Sequence, residues 1–276
     1  MTQLPRSILI TGCSTGIGFA AARDLKQRGW RVLGTARKPE DLARLTAMGI
    51  DALPLELADP ASIAACATKA LELTDGRLSA LFSNAAYGQI GAVEDLDVQA
   101  LRDQFEVNVF GLHDLTRRVI PAMRRQGAGR IVQCSSVLGL MAAPYRGAYC
   151  ASKFALEALT DSMRMELHGT GIHVSLIEPG PIRTEFLPTA LAKFRARIDI
   201  DGSAHRETYQ RRLASMATGG KTTFKLEPET VVRRLIHAVE SPRPKPRYFV
   251  TTPTYIAAML KRVLPTVILD PFARSQ

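Results

Sequence analysis

No apolar stretch in this chain runs uninterrupted for anything near the ~20 residues that a membrane-spanning helix needs, so a bundle of such helices is excluded. Cysteine is scarce. Cys13, Cys66, Cys134 and Cys150 are scattered without a CxxC pair, which excludes a disulfide framework and a thiolate zinc site and points to reduced thiols in a cytoplasmic protein. The five histidines (His113, His168, His173, His205 and His237) lack metal-ligand spacing, and no metal is expected. Aromatics reach only 6% and no nucleic-acid motif accompanies them, so nucleic acid is not an expected partner. Repeats and low-complexity segments are lacking, and nothing near the N-terminus reads as a signal peptide, because Ser7 to Thr11 leads straight into a glycine loop.

Acidic residues are in deficit, 26 against 36 Lys and Arg in a chain of 276 residues, for a net charge of +10. The excess is uneven. Residues 1–192 carry a net +1, and residues 193–276 a net +9. A basic tail attracts anionic partners, although a solvated surface is the plainer reading. At 46% hydrophobic and 22% charged residues, the composition is that of a globular domain with a substantial core.

The pattern predicts strands at 7–10, 31–36, 52–57, 78–83, 130–134, 173–177 and 247–251. Helices are expected at 17–28, 41–48, 60–74, 97–125, 149–168 and 229–240. Asp59 is a cap candidate with Pro60 at the first helical position, and Pro121 is expected to bend or end the long helix. Strands alternating with helices imply an α/β fold: a doubly wound parallel sheet of Rossmann type, three layers α/β/α, in a single domain over 1–276. Residues 185–228 show weak periodicity and read as a substrate loop or lid. Residues 253–276 form an amphipathic extension, which packs on the core or a second subunit or makes a peripheral membrane contact.

The run Thr11-Gly12-Cys13-Ser14-Thr15-Gly16-Ile17-Gly18 follows the first strand and opens the first helix. Glycines there permit a tight turn, and the helix start aims its amides at a pyrophosphate. Past strand two, Thr35-Ala36-Arg37-Lys38 holds no carboxylate that would favour a free ribose hydroxyl. Arg37 can fork onto a 2′-phosphate instead, so NADP(H) is the expected cofactor over NAD(H). Further along, Tyr149 and Lys153 stand at i and i+4, on one helical face. A cation near a phenol favours the phenolate, making tyrosine a usable general acid or base.

These residues resemble the short-chain dehydrogenase/reductase family. Four features match in order: Thr11-Gly12-x3-Gly16-Ile17-Gly18, Asn84-Ala85-Ala86, Ser136 thirteen residues before Tyr149-x3-Lys153, and Pro179-Gly180-Pro181-Ile182-Arg183-Thr184. The close resemblance spans roughly residues 6–184. Thr35 to Leu42, Arg146-Gly147-Ala148-Tyr149 and Leu260 to Pro265 are similar to bacterial NADP-dependent aldehyde reductases, and to retinol and 17β-hydroxysteroid dehydrogenases. The resemblance implies that Asn108 supports a proton relay, Ser136 holds the substrate oxygen, Tyr149 is the acid or base, and Lys153 binds the nicotinamide ribose. It further implies that Gly12, Ser14, Thr15, Gly16, Ile17, Gly18, Arg37, Glu56, Leu57, Asn84 and Ala85 hold the nucleotide, with Pro179, Gly180, Ile182 and Thr184 at the nicotinamide. Two departures are Ser83-Asn84-Ala85-Ala86, where the family has Asn-Asn-Ala-Gly, and Glu56-Leu57, where it has Asp-Val.

The expected activity is therefore hydride exchange with a small apolar carbonyl or alcohol (aldehyde, ketone, retinoid or steroid), in a homo-oligomer of two or four subunits. Apolar residues beside the catalytic groups (Val137, Leu138, Leu140, Met141, Tyr145, Phe186 and Leu187) motivate the substrate class. Other readings are an NAD(H)-linked dehydrogenase, a sugar-nucleotide epimerase, and a non-catalytic nucleotide-binding or membrane-surface protein. The glycine spacing argues against the epimerase, and the intact Asn108, Ser136, Tyr149 and Lys153 against lost catalysis. Cys13 and Cys150 read as packing residues.

Overall fold

A computed structural model describes residues 6–217 and 225–274. Seven strands form one parallel sheet in the order β3-β2-β1-β4-β5-β6-β7. They are β1 (Ser7–Ile10), β2 (Arg31–Ala36), β3 (Asp51–Pro54), β4 (Ala80–Ser83), β5 (Gly129–Cys134), β6 (Ile172–Glu178) and β7 (Arg247–Phe249). The inner strands β1 and β4 are buried along their whole length, as a sheet covered on both faces requires.

One face carries α1 (Gly16–Gln27), α2 (Pro39–Ala47) and α9 (Pro228–Glu240), which close a core around Ile8, Ile10, Leu25, Leu45, Phe82, Val232 and Leu235. The other face carries α3 (Pro60–Leu73), α5 (Leu112–Arg125) and α6 (Gly147–Glu166), packed around Leu9, Leu33, Ile63, Leu81, Leu115 and Ile131. Sheet order reverses beside β1, between β2 and β4, and this switch opens a crevice at the strands' C-terminal ends. Single-domain α/β architecture is thus as expected.

Three expectations change. The helix over 97–125 is interrupted: α4 (Val98–Phe105) passes through a π-helical turn, Glu106–Gly111, into α5. Gly111 lets that turn approach the loop after β3, since a Cβ on it would lie 2.1 Å from the Leu57 carbonyl oxygen. Pro121 does not end the helix, because it and Arg117, whose carbonyl it leaves unpaired, are both exposed to water. The segment 185–228 is not irregular. It contains α7 (Phe186–Arg197) and α8 (Arg206–Ala217), which bury Phe194, Ile198 and Tyr209 against Ile90 and Leu96 in a third core; its residues 218–224 lie outside the described chain.

The C-terminal extension forms α10 (Thr252–Val263) and α11 (Thr266–Arg274). Ala257 and Ala258 face inward, while Met259, Val263, Val267 and Ile268 are exposed. Residues 1–5 and 275–276 of the expected domain also lie outside the described residues. Among those described, no helix is long and apolar enough to cross a membrane, and no cluster of metal-ligating side chains occurs.

Candidate active site

The glycine run turns between β1 and α1. Gly12 has φ +74° and Gly16 φ +58°, conformations that favour glycine. A Cβ on Gly18 would stand 2.1 Å from the Gly12 carbonyl oxygen and 2.7 Å from Asn84 Nδ2. The first turn of α1 holds no acidic residue, and the half-buried Ser14 and exposed Thr15 leave its amides unblocked by any side-chain cap. Such a cradle of bare backbone at a helix N-terminus fits a pyrophosphate. The buried Thr11 hydroxyl accepts the amides of Asn84 and Ala85 at 2.9 Å, tying β4's end to the loop, and Asn84 Nδ2 donates back to the Thr11 carbonyl at 3.0 Å. Thr184 brings its methyl against Gly16, closing the crevice from the β6 side.

Past the end of β2, Arg37 is exposed and reaches Glu56 at 3.5 Å. Glu56 also accepts the Ala58 amide at 3.1 Å, so this carboxylate is turned toward Arg37 and its own loop. Leu57 is buried in the core, leaving only its backbone for a ligand. Arg44, which sequence reading missed, donates to the Ser14 carbonyl and stacks over Phe19, 5.1 Å from the ring centroid. It sits on an ordinary charged surface helix, and only the fold of α2 over the loop singles it out.

On the other side of the crevice, Tyr149, Ser136, Lys153 and Asn108 come together. All four are buried. Ser136 lies beside Tyr149, where its hydroxyl favours the phenolate, and it accepts the Leu138 amide at 3.1 Å, which fixes its rotamer. Asn108 lies in the π-helical turn. Its amide group donates to the Tyr87 carbonyl at 2.9 Å and to Ser152 Oγ at 3.1 Å, and its oxygen accepts the Tyr87 amide at 3.1 Å. Single π-turns inside helices are common at functional sites. Pro179 accepts the Val137 amide at 2.8 Å, and Gly180 passes so close to Thr251 that a Cβ would meet its hydroxyl at 2.0 Å. Ile182 packs half-buried on the core below. Phe186, the first residue of α7, packs edge-on over Tyr149 with ring centroids 5.3 Å apart.

One electrostatic expectation is corrected. Spacing alone predicts a phenol lowered by Lys153. Burial dominates instead and raises Tyr149 well above the ordinary phenol range, with the Ser136 hydroxyl and the Arg146 charge pulling down. Lys153 is itself held below the usual ammonium range by burial. Its Nζ donates to the Cys134 carbonyl at 2.7 Å and lies 5.7 Å from the Tyr149 ring centroid. All four cysteines are buried and free. Burial pushes Cys13 up to about 12 and Cys134 up to about 11, which rules out a thiolate nucleophile at either.

Behind this site a buried charge cluster escaped sequence reading. Arg247 Nη1 contacts Glu157 and Glu178 at 2.5 Å, and Nη2 contacts Asp161 at 2.5 Å. Asp161, one-third exposed, is also paired with Arg164, so the two buried carboxylates, Glu157 and Glu178, share the single Arg247 charge. Burial, with Glu157 alongside, pushes Glu178 up to about 8. The native state therefore holds a proton that the unfolded chain releases near the ordinary carboxylate value, so stability falls as pH rises from about 4.5 toward 8. Each such proton changes stability by at most ~1.4 kcal/mol per pH unit. Glu178→Gln, neutral at every pH, is expected to flatten this decline and to raise the melting temperature at pH 8. Calorimetric melts from pH 5 to 8.5 check it, and an unchanged slope in the variant contradicts it.

Comparison with known proteins agrees with this geometry. The family model described as short chain dehydrogenase matches residues 6–193. The chain is 42% identical over 268 residues to the uncharacterized oxidoreductase YbbO of Escherichia coli K12, covering 97% of this chain and 93% of that one. It is 34% identical to human 17-beta-hydroxysteroid dehydrogenase type 1, covering 88% and 77%. Among solved structures, a short-chain dehydrogenase/reductase from Burkholderia phymatum in complex with NAD superposes with a TM-score of 0.78 at 26% identity, covering 98% and 96%. With the glycine cradle, the parallel sheet and these likenesses together, the chain belongs to the short-chain dehydrogenase/reductase family of nicotinamide-dependent oxidoreductases.

Proposed function

We propose that this protein is an NADP(H)-dependent reductase of apolar aldehydes or ketones, working in reverse as an alcohol dehydrogenase. The observation that carries the reading is the buried Ser136–Tyr149 pair lying beside Lys153, under Phe186. The bound nicotinamide supplies or accepts the hydride. Ser136 and Tyr149 are both hydroxyl donors and hold the substrate oxygen between them. As charge develops on that oxygen, Tyr149 gives up its proton. Its raised pKa keeps the phenol protonated at neutral pH, which suits reduction. Lys153 holds the ribose and stabilises the tyrosinate, and Asn108 anchors the segment from which a proton relay is drawn. Phe186, Leu187 and α7 supply a greasy cover that excludes water, so α7 and α8 act as the lid. The steroid named in the human relative fits an apolar pocket of this kind. The proposal extends to a homo-oligomer, with the exposed apolar row of α10 and α11 as its contact or as a membrane-surface contact.

NADPH and NADH oxidation over a panel of aldehydes, ketones and steroids tests the activity. Turnover with NADPH is expected, and none with any member of the panel overturns it. Cofactor choice rests on Arg37, whose only ion-pair partner among the described residues, Glu56, is loosely held at 3.5 Å. Hydrogen bonds to charged groups are worth ~1.5–3 kcal/mol. Arg37→Asp is therefore expected to weaken NADPH binding by ~10–100-fold and NADH binding far less. Calorimetric titrations that show equal losses for the two nucleotides would remove Arg37 from the 2′-phosphate.

A further inference from the structure

Between the lid and the start of α6 lies a cleft lined by Ile90, Leu191, Phe194, Leu213, Tyr145 and Tyr209, together with two arginines, Arg146 and Arg212. The free space within it is small, about 20 Å³, enough for roughly one water-sized group. Both arginines are half-buried, and neither has a carboxylate partner among the described residues. Burial depresses the Arg146 guanidinium below its usual range, and the Arg212 charge adds to that depression. Arg212 stacks over the Tyr145 ring, 4.7 Å from its centroid, which uses the flat face of the guanidinium and leaves its edge donors free.

Two like charges in an apolar cleft are costly unless an anion joins them. The backbone that presents them is itself constrained. Tyr145 has φ +63°, a conformation that bulky residues rarely adopt and that persists where the surroundings impose it. Its carbonyl accepts the Gly91 amide at 3.1 Å, and its ring is wedged against His205 and Tyr209. Arg146 follows as the cap of α6, three residues before Tyr149 and close enough to favour its phenolate.

We infer that Arg146 and Arg212 form a carboxylate-binding subsite, so that the preferred substrates carry an anionic end in addition to the reacting carbonyl and an apolar body. This rests on the reductase reading above and narrows its substrate class. A carboxylate would be forked between the two guanidiniums that line the cleft. Three residues of α6 separate Arg146 from Tyr149, ~4.5 Å along the axis. With the side-chain reach added, this suits a carbonyl about one ring's width from the acid.

The direct test compares 4-carboxybenzaldehyde with methyl 4-formylbenzoate under saturating NADPH. A kcat/KM ratio of acid to ester above ten is expected for the wild type, and a ratio near one for Arg212→Met. Arg212→Lys, which keeps the charge without the fork, should fall between. A wild-type ratio near one, or a ratio that Arg212→Met leaves unchanged, overturns the inference. An independent titration follows binding of 4-methylbenzoate to the NADPH complex. Wild type should bind at least tenfold more tightly than Arg212→Met, and more weakly in high salt; equal affinities overturn the subsite. If neither aldehyde is reduced, the reductase reading loses its support, while the benzoate titration still decides the subsite. Melting curves confirm that Arg212→Met is folded.

Discussion

Tyr149→Phe is expected to lower carbonyl reduction by ~10²–10⁴-fold, the usual range for a positioned acid, while nucleotide binding stays near wild type. The substitution removes only a hydroxyl. The ring keeps its packing against Phe186 and its place above Lys153. What is lost is the proposed proton donor beside Ser136. Steady-state kinetics alongside nucleotide titration separate the two effects. A variant that retains most of its kcat would mean that the oxygen takes its proton elsewhere. In the reverse direction, the raised phenol requires a proton to leave before the alcohol reacts, so oxidation by wild type should climb as pH rises through the alkaline range, and reduction should not.

The second large effect concerns Arg247. Replacing it with Met is expected to cost ~3–5 kcal/mol, because removing one partner of a buried pair leaves uncompensated charge. Here the buried Glu157 and Glu178 both lose their cation at once, while Asp161, one-third exposed, keeps Arg164. At ~2–4 °C per kcal/mol for a domain of comparable size, a fall in melting temperature of about 10 °C follows at pH 8. The loss should shrink at pH 5, where protonation of Glu178 relieves the repulsion. Adding Glu178→Gln should recover part of it. A melting point within a degree of wild type at pH 8 would mean that the cluster is solvated and carries little stability. The cluster also bears on function. Glu157 stands one turn beyond Lys153 on α6, Glu178 ends β6 just before Pro179, and Arg247 starts β7. It therefore clamps the helix that carries the tyrosine to the strand that leads into Pro179.

Much of the frame was legible because its determinants are local. β1 and β2 fall on the residues their apolar runs predict, Ser7–Ile10 and Arg31–Ala36. Asp59 caps α3 through the Ala61 amide at 2.9 Å, as the Asp-Pro pair implies. Tyr149 and Lys153 share a helical face because four residues nearly complete a turn. Less legible was 106–111. Nothing in Glu106 to Gly111 announces a π-turn, and the close approach of Gly111 to the Leu57 carbonyl, past the end of β3, is a tertiary contact. The lid helices α7 and α8 were missed for a similar reason. Their apolar residues do not form a regular stripe, and their order comes from contacts such as Tyr209 Oη with Asp95 at 2.5 Å and with the Ala92 amide at 2.7 Å.

The chain's sequence by itself determined the α/β alternation, the glycine turn, the serine, tyrosine and lysine of the site, and the family they resemble, because each depends on spacing within a few residues or on a motif read in order. Tertiary structure alone decided which distant charges meet. Arg247 finds Glu178 and Glu157 across 69 and 90 positions of sequence, and Arg146 faces Arg212 across one cleft. It also decided the sign of the Tyr149 shift. Spacing places a cation near the phenol, but only the packed interior fixes how much water is stripped from that phenol, and desolvation outweighs the nearby charges.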